Sequence, residues 1–369
     1  MKIQAIGHYN TSFTSNRKKF DVQGHIGSMH DGLHNRNCYF NAQNIIDTVE
    51  TDNVKKVLVS SLSGFNPEGS NLYKSELNSA KEIQNVVGND NVKIYPLLSC
   101  QPGISKDTSV VEELIKNKTF YGMKFHPTNT KKSVKDNFDI YSKYLNLAEE
   151  KGLPCVFHSI TDGFSDPDEI IKLAEKHPKL PVVLYHIDLM SKPERIKKTV
   201  DNIAASLKDK KANLFVDISW LTPLFGKGDE NRDLINYTLE KLGPERIMFG
   251  SDTPIAEMGD KAKYAEFSDF VEKTVKNHFK DKPDDAEKAL NRIFYDNAEE
   301  IFVEKKWYNQ PASNQIGKQA KKLTSKQKGW LIGGAAAVLG IAALVVKTLC
   351  EDNKKAKAAQ NNPSKVVKH

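Results

Sequence analysis

Eight residues of this 369-residue chain stand where side chains could meet to do chemistry. They are Gln23 and His25 in "FDVQGHIG", Lys124 and His126 in "YGMKFHP", His158 in "LPCVFHS", His186 in "PVVLYHI", Trp220 just past "NLFVDIS", and Asp252 in "RIMFGSD". Nearly all of them close a short apolar run. Residues two apart in a strand share a face, so Asp21, Gln23 and His25 are expected on one polar side, and His126 beside Lys124. One histidine at a strand end usually packs or caps. Three histidines and an aspartate, each ending a separate apolar strand, are hard to obtain from packing needs alone. Imidazole nitrogen and carboxylate oxygen suit Zn²⁺, Fe²⁺ or Mn²⁺, and three such ligands leave room for a water that loses a proton near neutral pH. A fourth imidazole could polarise a substrate carbonyl or hold an oxyanion. The chemistry this points to is hydrolysis.

The elements that must position these residues alternate in kind. Eight β-branched or apolar runs, "KFDVQGHI", "KKVLVSS", "VKIYPLLS", "YGMKFHP", "LPCVFHS", "PVVLYHI", "NLFVDIS" and "RIMFGSD", are separated by helix-period stretches such as "NAQNIIDTVE", "VVEELIKN", "PDEIIKLAEKH" and "PERIKKTVDNIAASLK". Eight strands alternating with helices over residues 19–303 predict an α/β fold, a (β/α)8 TIM barrel, whose catalytic side chains come from the C-terminal ends of the strands. A doubly wound open sheet is the main alternative. No GxGxxG or GxxxxGK[ST] loop follows any strand to support it. A helical pair in "AEKALNRIFYDNAEEIF" is expected to close the domain.

Composition is ordinary for a globular chain, 39% hydrophobic and 27% charged. Of the net charge of +7, residues 304–369 hold +10 through 13 lysines and 3 acids, leaving −3 on the first 303 residues, which gives no electrostatic case for nucleic acid. Four scattered cysteines, Cys38, Cys100, Cys155 and Cys350, suggest a reducing compartment. The first 18 residues read as an extension without the apolar core of a secretory signal. After the barrel come a Lys-rich linker (304–328), an apolar span (329–347) and a basic polar tail (348–369). The uncharged run "GWLIGGAAAVLGIAALVV" would extend roughly 27 Å as a helix against a hydrocarbon core of ~30 Å. It predicts a single C-terminal transmembrane helix, with the catalytic domain in the cytoplasm. Homo-oligomer formation is left open by the sequence.

"FDVQGHIG", "YGMKFHP", "GLPCVFHS", "VVLYHIDL", "RIMFGSDTP" and "NRIFYDNAEEIF" together resemble the signature segments of the amidohydrolase superfamily, in particular its amidohydrolase-related branch of metal-dependent hydrolases and decarboxylases. The resemblance implies one divalent metal ion, zinc foremost with iron or manganese as alternatives. It implies His25, His158 and Asp252 as ligands, Asp252 also as the general base, and His186 as a further ligand or a group that polarises the substrate. Gln23 stands where the family carries the first histidine of HxH, and its neutral amide oxygen is a weaker ligand. Lys124, His126 and Trp220 are assigned to the substrate, with three readings for Lys124: a carboxylated bridge between metals, a contact to a substrate anion, or a structural ion pair. The implied activity is cleavage of an amide, ester or lactone bond of a small molecule. The alternatives are a decarboxylase or hydratase using the same site, and a metal-free, membrane-tethered binding or scaffold protein.

Overall fold

Apolar runs too short for helices, each followed by an amphipathic stretch, pair side by side because only a sheet with helices outside buries both faces of every run. The computed structural model describes residues 16–31, 36–62, 75–105, 107–117, 119–223, 228–255 and 258–305. All of them belong to one unit, Met1–Tyr308. Its strands are β1 (Lys19–Asp31), β2 (Arg36–Phe40), β3 (Val54–Ser61), β4 (Lys93–Pro96), β5 (Leu98–Cys100), β6 (Met123–Phe125), β7 (Cys155–His158), β8 (Pro181–Tyr185), β9 (Asn213–Asp217) and β10 (Ile247–Met248). They form two sheets, β2-β1-β3-β4 and β10-β9-β8-β7-β6-β5, parallel throughout except for the β1–β2 pair.

Two seams join these sheets into a ring. The N–H of Leu97 donates to Val59 O (2.8 Å) and that of Leu98 to Gly122 O (2.9 Å), so β4 and β5 are one strand that changes neighbours at Leu97. On the far side Val22 N–H donates to Phe249 O (3.0 Å) and His25 N–H to Thr253 O (2.8 Å), tying β1 to the segment through β10. Eight staves therefore close, and they are the eight runs expected from the sequence.

The helices are α1 (Ala42–Val49), α2 (Ser75–Gln84), α3 (Ser109–Asn117), α4 (Pro127–Thr130), α5 (Phe138–Lys151), α6 (Pro167–Ala174), α7 (Pro193–Lys208), α8 (Gly228–Leu242), α9 (Lys261–His278) and α10 (Pro283–Asn291). Local chemistry sets their ends. Asp166 caps α6 through Asp168 N–H with Pro167 in the first turn, and α5 stops at Gly152, whose φ of 66° continues no helix. One apolar layer, including Val57, Cys155, Phe157, Val182 and Leu184, packs outward against the helices. A second fills the lumen with Phe20, Val22, Leu58, Tyr95, Leu97, Val156, Val183, Tyr185, Phe215 and Met248, stoppered at the closed end by Ala298, Ile301 and Phe302.

Three features depart from expectation. The first strand outlasts its apolar run "KFDVQGHI", because β1 runs on to Asp31 and pairs antiparallel with β2. Helix α9 was not among the helix-period stretches. The closing segment is α10 followed by two wide π turns, Arg292–Asp296 and Glu299–Val303, instead of a helical pair. Among the described residues no helix is long and apolar enough to cross a membrane, and the run 329–347 lies outside them, as do the linker beyond residue 305 and the tail.

Candidate active site

A bulge in β1 decides what faces the mouth. Asp21 pairs with Val57 but Gly24 pairs with Val59, so β1 spends one residue more than β3 over the same span. Phe20 and Val22 point into the lumen, and the extra residue turns Gln23 inward just after Val22. Asp21 is left on the other side. Its carboxylate accepts from Ser251 N–H (3.0 Å), Gln23 N–H (3.0 Å), the Ser251 hydroxyl and the Tyr264 hydroxyl of α9 (3.0 Å). The shared polar face expected for Asp21, Gln23 and His25 is therefore corrected: only Gln23 and His25 reach the site.

At the site Asp252 is the hub. Its Oδ1 accepts from the Gln23 amide (2.7 Å) and His25 Nε2 (2.8 Å), and its Oδ2 from Trp220 Nε1 (2.8 Å). An ionised carboxylate only accepts, so His25 carries its proton on Nε2 while its Nδ1 takes the Ser60 hydroxyl proton at 3.0 Å. The Gln23 amide also lies 3.1 Å from His186 Nε2. The amide donates there, which puts the His186 proton on Nδ1, facing Ser219 Oγ at 2.8 Å. Ser219 Oγ lies 2.7 Å from Asp217 Oδ1 and 2.9 Å from Gln23 Oε1, and its single hydrogen serves one of them at a time. Asp217 Oδ1 also accepts the backbone N–H of His186 (2.8 Å) and of Ser219 (3.3 Å).

Behind this network stand three imidazoles and one ammonium. The rings of His126 and His158 stack at 3.9 Å, and His158 meets His186 edge to face at 4.9 Å. Burial, together with neighbouring positive charge, holds all three well below the ordinary histidine range, so they are neutral. Lys124 is 1% exposed, its Nζ 4.0 Å above the Tyr185 ring. Burial pushes its pKa down to about 7 against the pull of Asp252 and Asp217. No hydrogen-bond or ion-pair partner meets its Nζ among the described residues. Asp217 is pushed up to about 7, by burial above all. Three of these residues, His186 (φ 76°), Trp220 (φ 67°) and Asp252 (φ 67°), hold left-handed backbone that side chains rarely adopt, strain of a kind that concentrates at functional sites.

The structure thus brings together Gln23, His25, Lys124, His126, His158, His186, Trp220 and Asp252. It adds three residues that sequence reasoning missed, Ser60, Ser219 and Asp217. Asp217 carried a visible signal, an acid ending the seventh apolar run as Asp252 ends the eighth. His177 is 3% exposed and its Nε2 pairs with the Ser142 hydroxyl at 3.0 Å, away from the mouth. His34, Phe65, Asn66, Pro67, Leu224 and Phe225 lie outside the described residues, as does the side chain of His30.

A closed parallel barrel with ionisable groups gathered at the C-terminal ends of its strands is the arrangement of a TIM-barrel enzyme. The amidohydrolase family model matches residues 106–303, and the chain belongs to the amidohydrolase superfamily. No curated protein matches it. Among solved structures it is similar to a probable 2-pyrone-4,6-dicarboxylic acid hydrolase from Acinetobacter baumannii with citric acid bound, at 16% identity and a TM-score of 0.53, covering 77% of this chain and 98% of that one. It is similar as well to 2,6-dihydroxybenzoate decarboxylase from Rhizobium, at 14% identity and a TM-score of 0.54, over 78% and 98% of the two chains. At such identities the likeness concerns the fold.

The family usually binds a divalent metal ion. Of the expected ligands, His25 and Asp252 face each other at 2.8 Å, as two ligands of one ion would. The third and fourth do not follow. Gln23 presents N–H, not oxygen, to Asp252, and His158 is stacked on His126 without a hydrogen bond to the group. Among the described residues no group of three or more His, Cys, Asp or Glu is disposed to hold a metal ion. As arranged, these residues do not fit one.

Proposed function

We propose that this chain is a hydrolase that cleaves an amide, ester or lactone bond in a small molecule bearing a carboxylate. The observation that carries this reading is Lys124, a buried ammonium at the mouth without an anionic partner among the described residues. Such a cation is costly to leave unpaired, and a ligand carboxylate would compensate it. The neighbours named above act on or hold carboxylated compounds, which is compatible with this choice.

Asp252 is assigned the general base. Its Oδ1 is filled by Gln23 and His25, whereas among the described residues Oδ2 accepts from Trp220 and keeps one acceptor position for the proton of an attacking water. Lys124 anchors the substrate anion, Trp220 and His25 hold the base in place, and the neutral imidazoles of His126, His158 and His186 line the pocket. Decarboxylation is a second reading favoured by the same lysine, which could hold the carboxylate that leaves as CO₂.

The test is a screen of carboxylated lactones, esters and amides in ¹⁸O-labelled water, with Asp252→Asn as control. Label in the product, lost in Asp252→Asn, is the expected outcome. Release of CO₂ without label would move the assignment to a lyase, and turnover unchanged in Asp252→Asn would remove this aspartate from the chemistry.

A further inference from the structure

We infer that the Gln23 carboxamide takes the place of a divalent ion in this site, so that the barrel holds its catalytic groups with hydrogen bonds and not with a metal. The inference rests on the reading of the mouth as the reaction site and goes beyond it, since it concerns what organises that site. An ion between Asp252 and His186 would do two things at once: neutralise the carboxylate and fill the imidazole lone pair. The Gln23 amide does both, donating 2.7 Å to Asp252 Oδ1 and 3.1 Å toward His186 Nε2.

The surrounding groups are ordered to suit a donor there. With His25 Nε2 donating to Asp252, Nδ1 is left to accept, and the Ser60 hydroxyl stands 3.0 Å away to donate to it. Gln23 Oε1 points away from Asp252 to Ser219 Oγ at 2.9 Å, and in this orientation the single Ser219 hydrogen is given to Gln23 and not to Asp217. Turning the amide over would bring Oε1 to the 2.7 Å position beside Asp252 Oδ1, two acceptors without a hydrogen between them. Ser219 is accordingly a positioning residue that sets which end of the Gln23 amide faces the base. Ser60, His25 and Ser219, none exposed by more than 4%, thus agree on one orientation.

The inference is tested with zinc as the probe and without substrate. The purified full-length chain, stripped with chelator and dialysed, is titrated with ZnCl₂ by calorimetry and by metal analysis. Uptake counts only where Asp252→Asn removes it, with His25→Asn serving if that variant fails to fold. The native chain is expected to take up none at this site. Gln23→Glu, isosteric but without the donor, puts a second carboxylate beside Asp252 and should take up one zinc per chain under conditions where the native protein takes up none. Stoichiometric uptake by the native chain that Asp252→Asn abolishes would overturn the inference. So would absence of uptake in both native and Gln23→Glu chains, because the amide would then not be what keeps an ion out. The readout is independent of the proposed reaction, whose failure would appear in the turnover of Asp252→Asn and not in zinc binding.

Discussion

At the scale of single residues the site is a set of mutual constraints, and Lys124 is where they are tightest. Among the described residues it is the lysine placed among lumen side chains at the mouth, and its burial holds its pKa down to about 7. The folded value lies below the ordinary lysine value of about 10.4, so the neutral form is favoured in the fold, and the cost of burying the charge is full below pH 7. Lys124→Met, similar in volume, should therefore raise the melting temperature at pH 6 while raising KM for a carboxylated substrate by roughly 100-fold, the worth of one charge-assisted hydrogen bond. For the native enzyme, kcat/KM toward such a substrate should fall as pH rises past about 7 and the ammonium loses its proton. A pH profile of kcat/KM that stays flat across pH 6 to 9, or a KM unchanged in Lys124→Met, would take this lysine off the substrate. Its presence at the end of a strand was legible in "YGMKFHP"; its lack of a partner was not, because that depends on which way seven other strands turn their acids.

At the scale of elements the strand ends were readable and the irregular backbone between them was not. Apolar runs closed by His or Asp announce where a barrel strand stops, whereas nothing in "FDVQGHIG" marks the extra residue that separates Asp21 from Gln23 and His25. Nor do "HID", "SW" and "SD" announce left-handed backbone, since glycine is absent from the positions that adopt it. That strain needs holding. After β8 the run His186, Ile187 and Asp188 has φ of 76°, 44° and 73°, and Asp188 is clamped by Thr161 N–H (2.7 Å), the Ser191 hydroxyl (2.8 Å) and Arg195 Nε (2.9 Å). Arg195 would keep Asp166 and Asp168, so the loss of Asp188 is chiefly that of the acceptor for the buried Thr161 and Ser191 donors, about 1–3 kcal/mol, and it also frees the loop that aims His186. Asp188→Ala should lower the urea midpoint accordingly with m unchanged, and a loss under about 1 kcal/mol would show that the loop does not depend on the clamp. Asp21 makes the corresponding tie between β1, the segment after β10 and α9, at an electrostatic cost. Burial raises it to about 6, so between about pH 4 and 6 the folded chain binds more protons than the unfolded one and stability falls as pH rises. Asp21→Asn should flatten that part of the curve of melting temperature against pH, and a curve identical to the native one would assign the slope to other groups.

At the scale of the whole molecule the distribution of charge and hydropathy divides the chain more sharply than any loop does. The barrel residues, taken with the N-terminal extension, carry a net −3, whereas residues 304–369 carry +10 around one uncharged run of 18 residues from Gly329 to Val346. A helix on the surface of a globular domain has a polar face; this run has none, and lysines stand on both sides of it, five between Lys318 and Lys328 and six between Lys347 and Lys368. We propose that it tethers the barrel to a membrane as a single C-terminal span. Burying it in lipid would be favourable by far more than the cost of drawing its flanking lysines toward the headgroups, because lysine stems reach along the hydrocarbon while their ammonium groups remain wet. Two behaviours follow that an interfacial or peripheral association would not share. The full-length chain should sediment with membranes and stay there through carbonate extraction, leaving only with detergent, while a chain ending at Gln310 should remain in the supernatant. Replacing Ala336 and Leu339 with arginine should release the full-length chain from the carbonate-resistant fraction, since a charge at the centre of a span costs about 2.5–3.5 kcal/mol on the insertion scale. If carbonate frees the native chain, the run lies along the surface instead of crossing, and if both chains are soluble without treatment, the tether is absent.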